Sequence, residues 1–200
     1  MRSSHVVSNP PLARWLFDNT EIAWIWLIVR VYLGWQWLTA GWEKANNPAW
    51  TQSGLALKGF WASAVGAAPG SKPLIVFGWY RDFIQAMLAG GQYVWFAKLV
   101  TFGELAVGIA LIVGAFVGWA AFFGALMNWS YMLAGVASTN PLLFVLAIVL
   151  MLAWKTAGYW GADRLLLPLV GTPWPSPADV VEPQSPRQGA PWPQPDAGTR

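Results

Sequence analysis

The chain has 200 residues, 56% of them hydrophobic and 10% charged, whereas soluble domains carry about 25% charged residues. Without charge to cover its surface such a chain needs lipid as its solvent, so the bilayer is the first expected partner. A net charge of +3, no cysteine and one histidine, His5, in a polar N-terminal arm argue against nucleic-acid binding, disulfides, Cys-ligated clusters, a His-held haem and any metal site.

Residues 1–20 read as a polar arm with Pro10, Pro11 and Arg14, lacking the apolar core and cleavage site of a signal peptide. The first apolar run, about 22–41, is long enough to span hydrocarbon at 1.5 Å per residue and should stay as an anchor. Residues 45–92 form a long connection rich in Gly, Pro, Ser and Trp. Within it, 73–89 reads as an interfacial helix, because Val76, Tyr80, Phe83, Ile84 and Met87 make a stripe opposite Arg81, Asp82 and Gln85. A fifth span there is the competing reading, opposed by the two charges at its centre.

Nearly continuous apolar sequence from Tyr93 to Ser138 is too long for one span, and Gly114 to Gly118 is the natural break. It yields spans at about 95–113 and 118–137. Asn140-Pro141 opens a fourth at about 141–159, with proline suited to a first helical turn. Beyond residue 167 the composition changes: nine of the fifteen prolines fall in the last 33 residues, which predicts a disordered tail over 168–200 or a Trp-Pro segment that docks on a partner. The expected fold is therefore all-α, a membrane four-helix bundle over 21–167 with a long helix-containing loop between spans one and two. Many of the sixteen tryptophans, among them Trp24, Trp42, Trp95 and Trp160, fall near span ends, where an amphipathic ring favours the interface.

Charged groups inside a span cost about 2.5–3.5 kcal/mol each on insertion scales and need a reason. Counted from the terminal side, Arg30 in span one lies roughly 13 Å deep, and Glu104 in span two and Asn128 in span three roughly 15 Å. Equal depth predicts one midplane cluster, with Arg30 and Glu104 paired and Asn128 nearby. Such a cluster suits a polar or anionic ligand or a quinone headgroup, with Arg30 as donor and Glu104 as proton acceptor. It equally suits a buried ion pair that only sets helix register. Arg30, Gly34, Trp37, Gly41 and Lys44 share one helical face, on which the glycines allow close helix approach and Lys44 is expected to snorkel. Lys155 is expected to snorkel beside Asp163 and Arg164.

These residues resemble the DoxX/DoxD family of small four-helix membrane proteins. The resemblance rests on the stretch Arg30–Lys44, on Gly103-Glu104, on Asn128-Trp-Ser-Tyr-Met-Leu-Ala-Gly135 followed by Ser138-Thr-Asn-Pro141, and on Gly158-Tyr-Trp-Gly-Ala-Asp163-Arg164. It covers about 22–168. It implies a subunit linked to membrane redox chemistry, like the DoxD subunit of thiosulfate:quinone oxidoreductase, which passes electrons from thiosulfate to quinone. On that reading Glu104 and Arg30 are the catalytic candidates, and Arg30, Asn128, Trp37 and Lys44 bind quinone. Nothing would be bound covalently, other membrane or redox subunits would be partners, and the multi-pass chain would sit in the cell membrane with cytoplasmic termini. Charge alone does not orient it, because lysines and arginines flank the spans on both sides. Two other functions fit the same sequence: a non-catalytic accessory subunit of a larger membrane complex, and a small-anion transporter, although no inverted repeat is apparent.

Overall fold

The computed structural model describes residues 9–67 and 70–169, and all regular structure among them is helical. An amphipathic helix α1 (Pro11–Asp18) and a 3-10 turn at Thr20–Ile22 lead into α2 (Ala23–Ala45). Two short helices follow, α3 (Pro48–Thr51) and α4 (Leu55–Ala64), then α5 (Gly78–Ala89). The helices α6 (Tyr93–Val113), α7 (Val117–Leu133) and α8 (Asn140–Leu152) come next. The short α9 (Trp154–Ala157) and α10 (Asp163–Leu169) close the described chain. The apolar runs at 22–41, 95–113, 118–137 and 141–159 fall on α2, α6, α7 and α8–α9, but α7 stops at Leu133 and α9 at Ala157, short of the expected ends. Among the described residues one helix, α6 with 21 residues, is by length and composition long and apolar enough to cross a membrane.

Both α2 and α7 pack on α6 and on α8, so α2 and α7 face one another across the axis of a four-helix bundle. Trp26, Leu33, Trp37, Val107, Leu111, Val117, Ala121, Ala147 and Leu150 fill that axis. Glycine sets the α2–α6 distance. A Cβ on Gly108 would lie 2.5 Å from the Leu38 amide nitrogen, and one on Gly41 would lie 2.8 Å from that of Leu105. The two backbones touch, and no other residue would let them.

That contact fixes an antiparallel register in which Gly34 meets Gly108–Ile112 and Gly41 meets Glu104–Leu105. Arg30 is thereby level with Gly114, at the turn between α6 and α7. The first two turns of α2, about 12 Å at 1.5 Å per residue, extend past that turn. They are covered by α1 and α9: the Trp26 indole donates to Leu16 O at 2.9 Å, and the Thr156 hydroxyl donates to Phe17 O at 3.1 Å. The arm expected to be merely polar is therefore helical from Pro11 and packed.

A second, smaller core joins the connection between α2 and α6 to the bundle. Leu57, Trp61, Ala64, Ile75, Ile84, Ala97 and Ala134 are buried there. The interfacial helix expected over 73–89 starts at Gly78 instead, because the Leu74 and Ile75 amides both donate to Ala64 O at the end of α4. Its stripe is correspondingly narrower: Ile84 is buried, whereas Val76 is 85% exposed. The expected tail begins inside α10, which contains Pro168; residues 170–200, like 1–8 with His5, lie outside the described residues.

Candidate functional site

Close approach of α2 and α6 brings Lys44, at the end of one, onto Glu104, in the middle of the other. The Lys44 ammonium donates to Glu104 Oε2 at 2.7 Å, and the Tyr131 hydroxyl on α7 donates to Glu104 Oε1 at 2.6 Å. Glu104 is 1% exposed, while the Lys44 side chain retains 20%, and the Trp50 ring covers its ammonium at 5.3 Å from the ring centroid. A buried carboxylate thus has a cation on one oxygen and a phenol on the other. The ammonium carries only protons to donate, and the Lys44-paired carboxylate only accepts, so the phenol proton must point at Glu104.

Arg30 is not part of this cluster. The expected Arg30–Glu104 pair does not form, because depth counted from each helix end ignores the two turns by which α2 overshoots the α6–α7 turn. Arg30 is 1% exposed. One terminal nitrogen donates to Trp160 O at 3.2 Å, while Nε and Nη1 have no partner among the described residues. Gly114 and Gly161 press their backbones against that end of the guanidinium, and a Cβ on Gly114 would overlap Nη1. With no room between them, Arg30 works as a clamp between the α6–α7 turn and the α9–α10 turn.

Asp163 completes that clamp. Its carboxylate accepts from the amides of Phe116 and of Val117, the latter at 2.9 Å, and so caps α7 where Phe116 holds a left-handed φ of 48°. Burial pushes the Asp163 carboxyl above the usual carboxylate range, against the opposing pull of the two amides and of Arg30. Lys155, expected near Asp163, instead bridges Asp18 at 3.2 Å.

Trp37 on α2 and Asn128 on α7 are both buried in the bundle interior near the Lys44–Glu104–Tyr131 cluster. Trp37 Nε1 lies against Gly124, where a Cβ would come within 2.9 Å of it. Asn128, a turn further along α7, is 0% exposed. Among the described residues neither the indole N–H nor either end of the Asn128 amide has a partner.

A cavity of about 480 Å³ lies between α4, α5, α6 and α7. Phe60, Trp61, Phe83, Phe96 and Phe123 give it aromatic walls, and Gly103, Ser130, Tyr80 and Tyr131 also line it. Tyr80 donates to Ser130 O at 3.1 Å, which ties α5 to α7 across the cavity; burial pushes the Tyr80 hydroxyl up. Cavity and buried carboxylate share Tyr131. The volume and lining suit one aromatic ring with the start of an apolar chain, whereas the surroundings of Arg30 are filled by backbone. Among the described residues no three His, Cys, Asp or Glu side chains gather as metal ligands.

No protein-family model, no curated protein and no solved structure matches the chain.

Of the residues singled out from sequence, Glu104 and Lys44 meet, Trp37 and Asn128 are buried near them, and Arg30 lies at the other end of α6. Tyr131 was missed. It stands three residues after Asn128 on the same face of α7, and that i, i+3 spacing was the available signal.

Proposed function

We propose that the chain is a multi-pass membrane protein of the DoxX/DoxD kind, with cytoplasmic termini, acting as a subunit of quinone-linked redox chemistry with thiosulfate as the electron source. The observation that carries the reading is Tyr131, which joins the apolar cavity to the buried Glu104 carboxylate. Broad exposed apolar surface supports the membrane setting: Trp24, Ile28, Trp35, Leu99, Phe102, Ile109, Trp119, Phe122, Leu126 and Val145 are each at least 44% exposed, more than a water-soluble monomer tolerates.

A bound quinone would supply the acceptor for two electrons and two protons. Everything else falls to the chain's own residues. The aromatic walls hold a ring and exclude water. Tyr131 sits where a proton crosses between the cavity and Glu104. Glu104 takes or yields that proton, and Lys44 holds its charge in an interior where an unpaired carboxylate would be costly. The Lys44 side chain retains 20% exposure where Glu104 retains 1%, which gives the proton a route out past Lys44.

Mild-detergent purification from native membranes, followed by solvent extraction, tests this directly. Retained quinone, together with loss of thiosulfate-dependent quinone reduction in Glu104→Gln, is the expected result. Purified protein free of quinone, or a fully active Glu104→Gln, would sink it. The second reading, a non-catalytic accessory subunit, draws on the exposed Leu74, Val76 and Phe77 leading into α5 and Trp79 in its first turn. It is favoured if larger redox proteins co-purify and lose assembly when this chain is deleted.

A further inference from the structure

The hydroxyl groups on the cavity wall have their protons committed elsewhere. Tyr80 gives its proton to Ser130 O, Ser130 gives its own to Leu126 O at 2.9 Å, and Tyr131 gives its own to Glu104. A phenol oxygen that has donated its proton retains lone pairs and can only accept. Tyr131 therefore offers an acceptor, strengthened by the carboxylate behind it. The side-chain N–H on this wall belongs to Trp61, on α4, a different helix from Tyr131.

From this we infer that the cavity binds a ring amphiphile in its hydroxyl-bearing form, a hydroquinone or phenol with an apolar tail, whose hydroxyl donates to the Tyr131 oxygen. The inference deepens the redox reading and rests on it for the ligand class; the protonation state preferred is new. Lys44 enforces the preference. Its ammonium keeps Glu104 an acceptor at rest, so Tyr131 turns its proton toward a carbonyl only after Lys44 has passed a proton to Glu104, the step that quinone reduction requires. An acyl chain would fill the same volume but leave the lone pairs of Tyr131 unused. The tail leaves past Leu99, Phe123 and Leu126, which line the cavity and are each at least 49% exposed, on the apolar exterior of α6 and α7.

The test uses the full chain in nanodiscs and two probes of nearly equal size, 4-hexylphenol and its methyl ether 4-hexylanisole. They differ in whether the ring oxygen can donate. One hydrogen bond to a charge-backed acceptor corresponds to about tenfold in affinity, so the phenol should bind about tenfold more tightly. Tyr131→Phe should erase the difference by weakening the phenol alone. Gly103→Leu should abolish both, because a Cβ at Gly103 meets only Met127 Sδ, at 3.8 Å, and its side chain would enter the cavity. Equal affinities in the unaltered protein overturn the inference without recourse to any variant, as does discrimination that survives Tyr131→Phe, or failure of both probes to bind. Quinone retained from native membranes alongside equal probe affinities would leave the redox reading standing and remove only the preference for the hydroxyl form. Absence of both quinone and probe binding would remove the two together.

Discussion

Lys44 and Glu104 are sixty positions apart in the chain and 2.7 Å apart in the structure, joined because glycines at 34, 41 and 108 let α2 and α6 touch along their backbones. Tyr131 occupies the carboxylate oxygen that Lys44 leaves free. The pair is asymmetric. Glu104 is sealed from solvent, while Lys44 reaches it, so the two partners should respond differently to substitution.

Removing Lys44 strands a buried carboxylate. Lys44→Met should destabilise the protein by about 3 kcal/mol, the scale of an uncompensated buried charge. Lys44→Met combined with Glu104→Gln should recover most of that loss, because the charge is then gone from both sides. Thermal unfolding of the four-member cycle in detergent measures the coupling; additive effects would mean that the ion pair contributes nothing to the fold.

Gly114 is required twice over. Its φ of 76° disfavours any side chain, and a Cβ there would overlap Arg30 Nη1. The left-handed backbone alone costs about 1–2 kcal/mol for a residue other than glycine. Gly114→Ala should therefore destabilise by more than that, and Gly114→Ala with Arg30→Ala should stay below the stability of Arg30→Ala by about the backbone cost. Melting temperatures of the three variants separate the two contributions.

Gly124 makes room for Trp37. Gly124→Ala places a methyl 2.9 Å from the indole nitrogen and should cost about 1–3 kcal/mol as overpacking. Trp37→Phe shortens the ring at that contact, so the double variant should be less impaired than Gly124→Ala measured against Trp37→Phe would require by addition. Near-UV circular dichroism should report the displaced indole in the single variant.

Burial raises the Asp163 carboxyl above its unfolded value, and the sign of the pH effect follows from that. Between the two values the folded state binds more protons than the unfolded one, so the Asp163 contribution to stability declines as pH rises from about 4. Asp163→Asn removes that titration and also weakens the α7 cap, since an amide offers one acceptor oxygen to the Phe116 and Val117 amides. Asp163→Asn should thus be less stable than the parent in acid, and the gap should narrow toward neutral pH. A gap that widens with pH would contradict the burial effect.

Much of the helical layout was legible from local information. Apolar runs mark helices because each must cover a face or a circumference with apolar side chains, and Gly114 marks a break because its left-handed backbone ends α6 in place. Glu104, Lys44 and Asn128 could be singled out because polar groups are rare in such runs. The amide-to-Ala64 pinning that delays α5 until Gly78 has no local signature, since the acceptor lies ten residues earlier.

By itself, then, the sequence determined that the chain is helical and apolar, where its long helices lie, and which polar residues they carry into the interior. Only the tertiary structure decided the partners. Register between α2 and α6 is set by backbone contact at their glycines, and it offsets α2 by two turns from the level that counting from helix ends assumes. That offset moves Arg30 to the α6–α7 turn, delivers Lys44 to Glu104, and leaves Tyr131 to link the carboxylate with the cavity. Depth along one helix is a local property, but level with a neighbour depends on how far the two slide before their side chains interlock.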